Sequence, residues 1–132
     1  MKKLNHVGIV ANDFEKAVEK FKGLGFVCDE IKEDKQLGVQ GAFFTIGDTS
    51  LEIISLTKFP ESDGAMMRVV RAQKGVINHL CFEVENLGAS IQHYEKQGAK
   101  LVEGCPMPGA HGSIAFFYPD TTEGVLIELC EV

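Results

Sequence analysis

Apolar and polar residues alternate, fall into a helical period and return to alternation, and the chain does this twice. In the first pass "KLNHVGIVA", residues 3–11, is strand-like. Phe14, Ala17, Val18 and Phe21 then recur at i, i+3, i+4 and i+7, which predicts an amphipathic helix. Asn12 is placed to cap it, with Glu15 completing a capping box, and "GLG" at 23–25 stops it. Three strand candidates follow: "FVCDEI", "GAFFTIG" and "SLEIISL". The second pass has a helix on Leu87, Ile91 and Tyr94, ending at Gly98, then "KLVEG", "SIAFFY" and "VLIELC". Each pass reads β-α-β-β-β.

The likeness extends to individual residues. A shift of 73 residues sets "NHVGIV" on "NHLCFE", Gly25 on Gly98, Glu30 on Glu103, and "AFF" at 42–44 on "AFF" at 115–117. Glu52 meets Glu128 after three extra residues in "YPDTTEG". One copy of about 55 residues is too short to bury its own sheet face, so the two should join in one sheet. The expected fold class is α+β, two tandem βαβββ modules forming one curved eight-stranded sheet around a metal-binding cleft. Module one should span about 1–58 and module two about 76–132 of a single domain. Between them, at about 61–75, Met66, Val69 and Val70 at helical spacing predict a connecting helix that starts after turn residues and ends at Gly75.

Composition narrows the function. A formal net charge of -6 with scattered Lys and Arg argues against nucleic acid or an anionic membrane as partner. No apolar run reaches membrane-spanning length, and the N-terminus lacks signal-peptide features, so a cytoplasmic location is expected. The four cysteines, Cys28, Cys81, Cys105 and Cys130, form no CxxC pair and read as reduced thiols.

Glu52 and Glu128 stand in apolar strands, where a lone ionised carboxylate costs several kcal/mol. The repeat pairs them with His6 and His79 at matched positions of the first strands. Two imidazoles and two carboxylates suit one divalent transition metal, Zn, Co, Ni, Mn or Fe, and suit Ca poorly. His93 reads as a surface residue. His111, in the Gly-rich loop "PMPGAHGSIAFF", is placed to contact substrate. Phe43, Phe44, Phe116 and Phe117 are candidates to wall the site, with plain core packing as the alternative.

Paired βαβββ modules carrying His6, Glu52, His79 and Glu128 resemble the vicinal oxygen chelate superfamily, over essentially the whole chain. "NHVGIV", "GVINHLCFEV", "GAHGS" and "GVLIEL" are most similar to the methylmalonyl-CoA epimerases within it. The resemblance implies His6, His79 and Glu128 as ligands of a divalent ion, commonly Co, Mn or Zn, with an acyl-CoA substrate, an enolate intermediate and a homodimer. Two positions depart from the epimerase pattern. Glu52 stands where the epimerases often carry Gln and the related glyoxalases carry Glu. Gly41, with Gln40 beside it as the other candidate contact to substrate, stands where a proposed proton-transfer Glu belongs. Glu128 is the first candidate base and Glu52 the second, since a carboxylate at the ion lies close to the reacting carbon. The expected function is a metal-dependent isomerase or lyase acting by proton transfer next to a carbonyl. The rivals are a glyoxalase-type lyase acting on a thiol adduct and a non-catalytic antibiotic-binding protein. An extradiol dioxygenase would leave Glu52 unexplained.

Overall fold

The computed structural model describes residues 1–34, 39–56 and 64–132. Its elements run β1 (Lys3–Val10), α1 (Phe14–Gly23), β2 (Cys28–Asp34), β3 (Val39–Ile46), β4 (Thr49–Ser55), α2 (Ala65–Ala72), β5 (Ile77–Glu83), α3 (Leu87–Lys96), β6 (Met107–Gly109), β7 (Gly112–Phe117) and β8 (Ile127–Glu131), with a 3-10 turn at Pro119–Thr121. The turn residues expected at 60–63 lie outside the described residues.

All eight strands form one sheet in the order β2-β3-β4-β1-β5-β8-β7-β6. The order is symmetric about the antiparallel β1–β5 seam, with β4 parallel to β1 on one side and β8 parallel to β5 on the other. The α+β class and the curled eight-stranded sheet follow the repeat.

Both outer faces are covered in the same way. Phe14 and Val18 of α1 pack on Ala42, Phe44 and Ile53, while Leu87 and Ile91 of α3 pack on Ala115, Phe117 and Leu129. Strand alternation explains why Phe44 and Phe117 join these cores while Phe43 and Phe116 face the other way and line the cleft. A third cluster, Met66, Met67 and Val70 of α2 with Ile54, Ile114, Leu126 and Cys130, packs on the concave side.

Two local expectations are corrected. The cap of α1 is Asp13, whose carboxylate accepts from Lys16 N at 3.1 Å, and Asn12 lies outside the helix. Asn86 caps α3 equivalently, accepting from Ala89 N at 2.9 Å. "KLVEG" makes only the single bridge Leu101–Phe117, and the edge strand of module two is Met107–Gly109. In the connecting helix Met67 is fully buried and Val69 only partly.

Candidate metal centre

The four central strands each deliver one polar group to the floor of the cleft: His6 from β1, Glu52 from β4, His79 from β5 and Glu128 from β8. His6 Nε2 and His79 Nε2 are 3.1 Å apart. Glu128 Oε2 lies 3.2 Å from His6 Nε2 and 3.0 Å from His79 Nε2. Glu52 Oε1 stands further off, at 3.6 Å and 3.9 Å from the same two nitrogens. Residues 73 and 76 apart in sequence thus converge on one point.

What holds the imidazoles was not read from the sequence. His6 Nδ1 is 2.8 Å from Asn5 Oδ1, and His79 Nδ1 is 2.9 Å from Asn78 Oδ1. An amide oxygen only accepts, so each Nδ1 is the donor, which aims each Nε2 at the shared centre and leaves it able to offer a lone pair there when the ring is neutral. Neighbours in a regular strand point to opposite faces, and here the register shifts remove that obstacle. Asn5 is an extra residue between the pairs Leu4–Phe82 and His6–Cys81, and Asn78 is one between Gly8–His79 and Ile9–Ile77. Asn78 also donates to Val70 O at 3.0 Å, tying the end of α2 to the site. The signal was the repeated Asn-His pair itself.

The backbone opposite His79 must be glycine, because a Cβ on Gly8 would fall 2.2 Å from His79 Cε1. The residue opposite His6 is Cys81, buried among His6, Glu128 and Cys130. All four cysteines are free.

The two carboxylates differ electrostatically. Burial works against the charge on Glu128, but hydrogen bonds from His6 and His79 outweigh it and bring the pKa down to about 2. Burial likewise opposes charge on His6, and Glu128 and Glu52 overcome it, raising the pKa to about 9. At Glu52 burial prevails over the attraction of both histidines, and its pKa is raised.

Two imidazole nitrogens and two carboxylates with lone pairs on one centre form a donor set that could hold a divalent transition metal, and His6, Glu52 and His79 lie close enough to share one ion. Around it is a cavity of about 250 Å³, walled by Phe43 and Phe116 and closed at one end by Met66, Met67 and Val70 of α2. Gly41 leaves the β3 wall bare beside Glu52, where a Cβ would sit 3.3 Å from Glu52 Oε2. Gln40 is not brought to the cleft: it alternates to the other face, and its amide donates to Glu33 at 3.4 Å. His111 does line the cleft, at its mouth, while His93 is exposed on α3.

The chain as a whole is similar to known proteins. The profile of the Glyoxalase/Bleomycin resistance protein/Dioxygenase superfamily matches residues 5–117. An ethylmalonyl-CoA/methylmalonyl-CoA epimerase of Cereibacter sphaeroides is 30% identical, with 98% of each chain covered. The uncharacterized protein YqjC of Bacillus subtilis is 33% identical over 99% of this chain and 93% of its own. The crystal structure of methylmalonyl-CoA epimerase from Mycobacterium tuberculosis superposes with a TM-score of 0.80 at 26% identity, covering 97% of this chain and 86% of the other.

Proposed function

This chain belongs to the Glyoxalase/Bleomycin resistance protein/Dioxygenase superfamily, and from that premise we propose that it is an acyl-CoA epimerase that moves a proton on the carbon beside a thioester carbonyl. The observation that carries the reading is the convergence of His6, Glu52, His79 and Glu128 at the floor of an apolar cleft. The epimerase among the 30%-identical relatives supports the substrate class.

His6, His79, Glu128 and Glu52 would hold the divalent ion, Zn, Co, Ni or Mn. Such an ion supplies positive charge where the carbonyl oxygen becomes negative as the proton leaves. Glu128, within hydrogen-bond distance of both imidazoles, is the fixed anion of the set. Glu52 stands further from both and faces bare wall at Gly41, so it has the freedom a base needs, and the geometry favours it over Glu128 for taking the proton. Phe43 and Phe116 give the cleft apolar walls, and a less polar surrounding strengthens electrostatic contacts inside it. A net charge of -6 fits a small-molecule substrate better than nucleic acid, and the bacterial epimerase relative supports a cytoplasmic location. The chain is proposed to work as a homodimer.

Two features favour a second reading, a glyoxalase-type lyase acting on a thiol adduct: Gly41 brings no carboxylate from β3, and Glu52 is a glutamate. The two separate in deuterated water. Metal-loaded protein and methylmalonyl-CoA should place solvent deuterium on the carbon between the carbonyl groups. Absence of exchange there, with turnover of the hemithioacetal of methylglyoxal and glutathione, would replace the first reading with the second.

A further inference from the structure

β2 and the β6–β7 turn lie near opposite ends of the sheet order, yet the curl brings them together over the mouth of the cleft. Lys32 Nζ donates to Ala110 O at 2.9 Å, and His111 Nε2 lies 2.5 Å from Glu30 Oε1. Glu30 owes its aim to a bulge. The β2–β3 register shifts between Cys28 and Glu30, leaving Asp29 as the extra residue, and the Asp29 carboxylate pins the bulge by accepting from Thr45 N at 2.7 Å. The His111 ring stands edge-on to Phe43, with centroids 4.8 Å apart. With Nε2–H directed at a carboxylate, neutral His111 keeps its lone pair on Nδ1, which has no hydrogen-bond partner among the described residues.

We infer that His111, held by Glu30, is a proton-transfer group that works across the substrate from the floor carboxylates. This rests on the epimerase reading and deepens it. Epimerisation needs a proton to leave one face of a carbon and another to arrive on the opposite face. The floor, on the four central strands, supplies one side, and the mouth, bridged by Glu30 and His111, supplies the other.

In one direction the C–H bond breaks, its proton passes to the Glu52 carboxylate, and the electron pair moves through the carbon–carbon bond onto the carbonyl oxygen. The pair then returns to the carbon, which takes a proton from Nδ1 of the His111 imidazolium. Glu52 ends protonated and His111 neutral, and exchange with water resets both. His111 has access to solvent, its side chain being 41% exposed. The reverse direction uses the same groups with their roles exchanged. Glu30 is a positioning residue: it fixes the ring tautomer and orientation.

The test compares epimerisation with deuterium exchange in His111→Gln, using metal-loaded protein and one epimer of methylmalonyl-CoA. Loss of one proton-transfer group should cut epimerisation by about 100-fold or more. Exchange into the starting epimer should persist within a few-fold, because the floor still removes and returns the proton. Metal content and thermal midpoint should be unchanged. A variant that epimerises at the wild-type rate overturns the inference, as does one that loses exchange and epimerisation equally. Glu30→Ala gives an independent readout: the ¹⁵N shifts of the His111 ring should show the Nε2–H tautomer in wild type and a mixture in the variant, and an unchanged spectrum contradicts the positioning role. Wild-type protein that neither exchanges nor epimerises methylmalonyl-CoA sinks the parent reading instead.

Discussion

Glu52 and Glu128 occupy equivalent places in the two modules, yet their surroundings separate them. Glu128 is 3.2 Å and 3.0 Å from the two imidazoles and has its pKa brought down to about 2. Glu52 is 3.6 Å and 3.9 Å away, and burial raises its pKa. The repeat supplies two carboxylates, and these differences in distance are the basis for the proposed division between them, Glu128 as fixed countercharge and Glu52 as the group that carries the proton. Pairs of like groups pushed apart in pKa are how a site assigns acid and base roles.

Neutralising each carboxylate in turn should have the largest effects. Glu128→Gln should lower metal affinity by more than the 10–100-fold typical of losing a partner behind a ligand, and activity should fall with it. Glu52→Gln should retain the ion, since Glu52 stands further from both imidazoles than Glu128 and contributes less to holding it, while proton transfer drops by about 100-fold or more. Metal analysis beside deuterium exchange reads both, and equal metal loss in the two variants would erase the distinction.

The residues opposite the two histidines sharpen it further. Gly8→Ala places a Cβ 2.2 Å from His79 Cε1, so it should displace the ring and weaken metal binding severely, whereas Cys81→Ala, opposite His6, only removes a sulfur and should bind nearly normally. Titration with cobalt separates them. Next come the asparagines. Asn78→Ala and Asn5→Ala should each lower affinity about 10–100-fold, and Asn78→Ala should cost more stability because Asn78 also holds Val70 O.

The smallest effect is on acid stability of the demetallated protein. With a folded pKa of about 2 against an ordinary 4.5, Glu128 contributes stability that is complete above pH 4.5 and is lost as pH falls toward 2. Glu52 has the opposite sign: its raised pKa favours the folded state at low pH, and that contribution is lost as pH rises from 4.5 through its folded value. Urea denaturation at successive pH values should therefore show Glu128→Gln flattening the acid decline and Glu52→Gln stabilising the protein near neutrality.

The repeat made most of this legible. Phe14, Val18, Ala42 and Phe44 and their counterparts 73 residues on build matching cores, because identical periodicity buries identical positions. The four converging side chains were readable for the same reason. The repeat also held an answer that local propensity obscured: Asp13, the counterpart of Asn86, caps α1, although Asn12 was equally plausible in isolation. Features that break the pattern were not legible. "KLVEG" has the composition of a strand, but the pairing edge there is Met107–Gly109. The bulges at Asn5, Asn78 and Asp29 depend on pairing across strands, which no single stretch of sequence reveals. Gln40 was placed one residue out of phase with the cleft, and a shift of one reverses the face of a strand residue.

Cobalt titration of demetallated protein, followed by visible absorption and by calorimetry, tests the shared centre most directly. Uptake of one ion per chain, with a ligand-field spectrum that vanishes in both His6→Ala and His79→Ala, is the predicted result. Titration to excess without stoichiometric uptake, or a spectrum indifferent to either substitution, would contradict it.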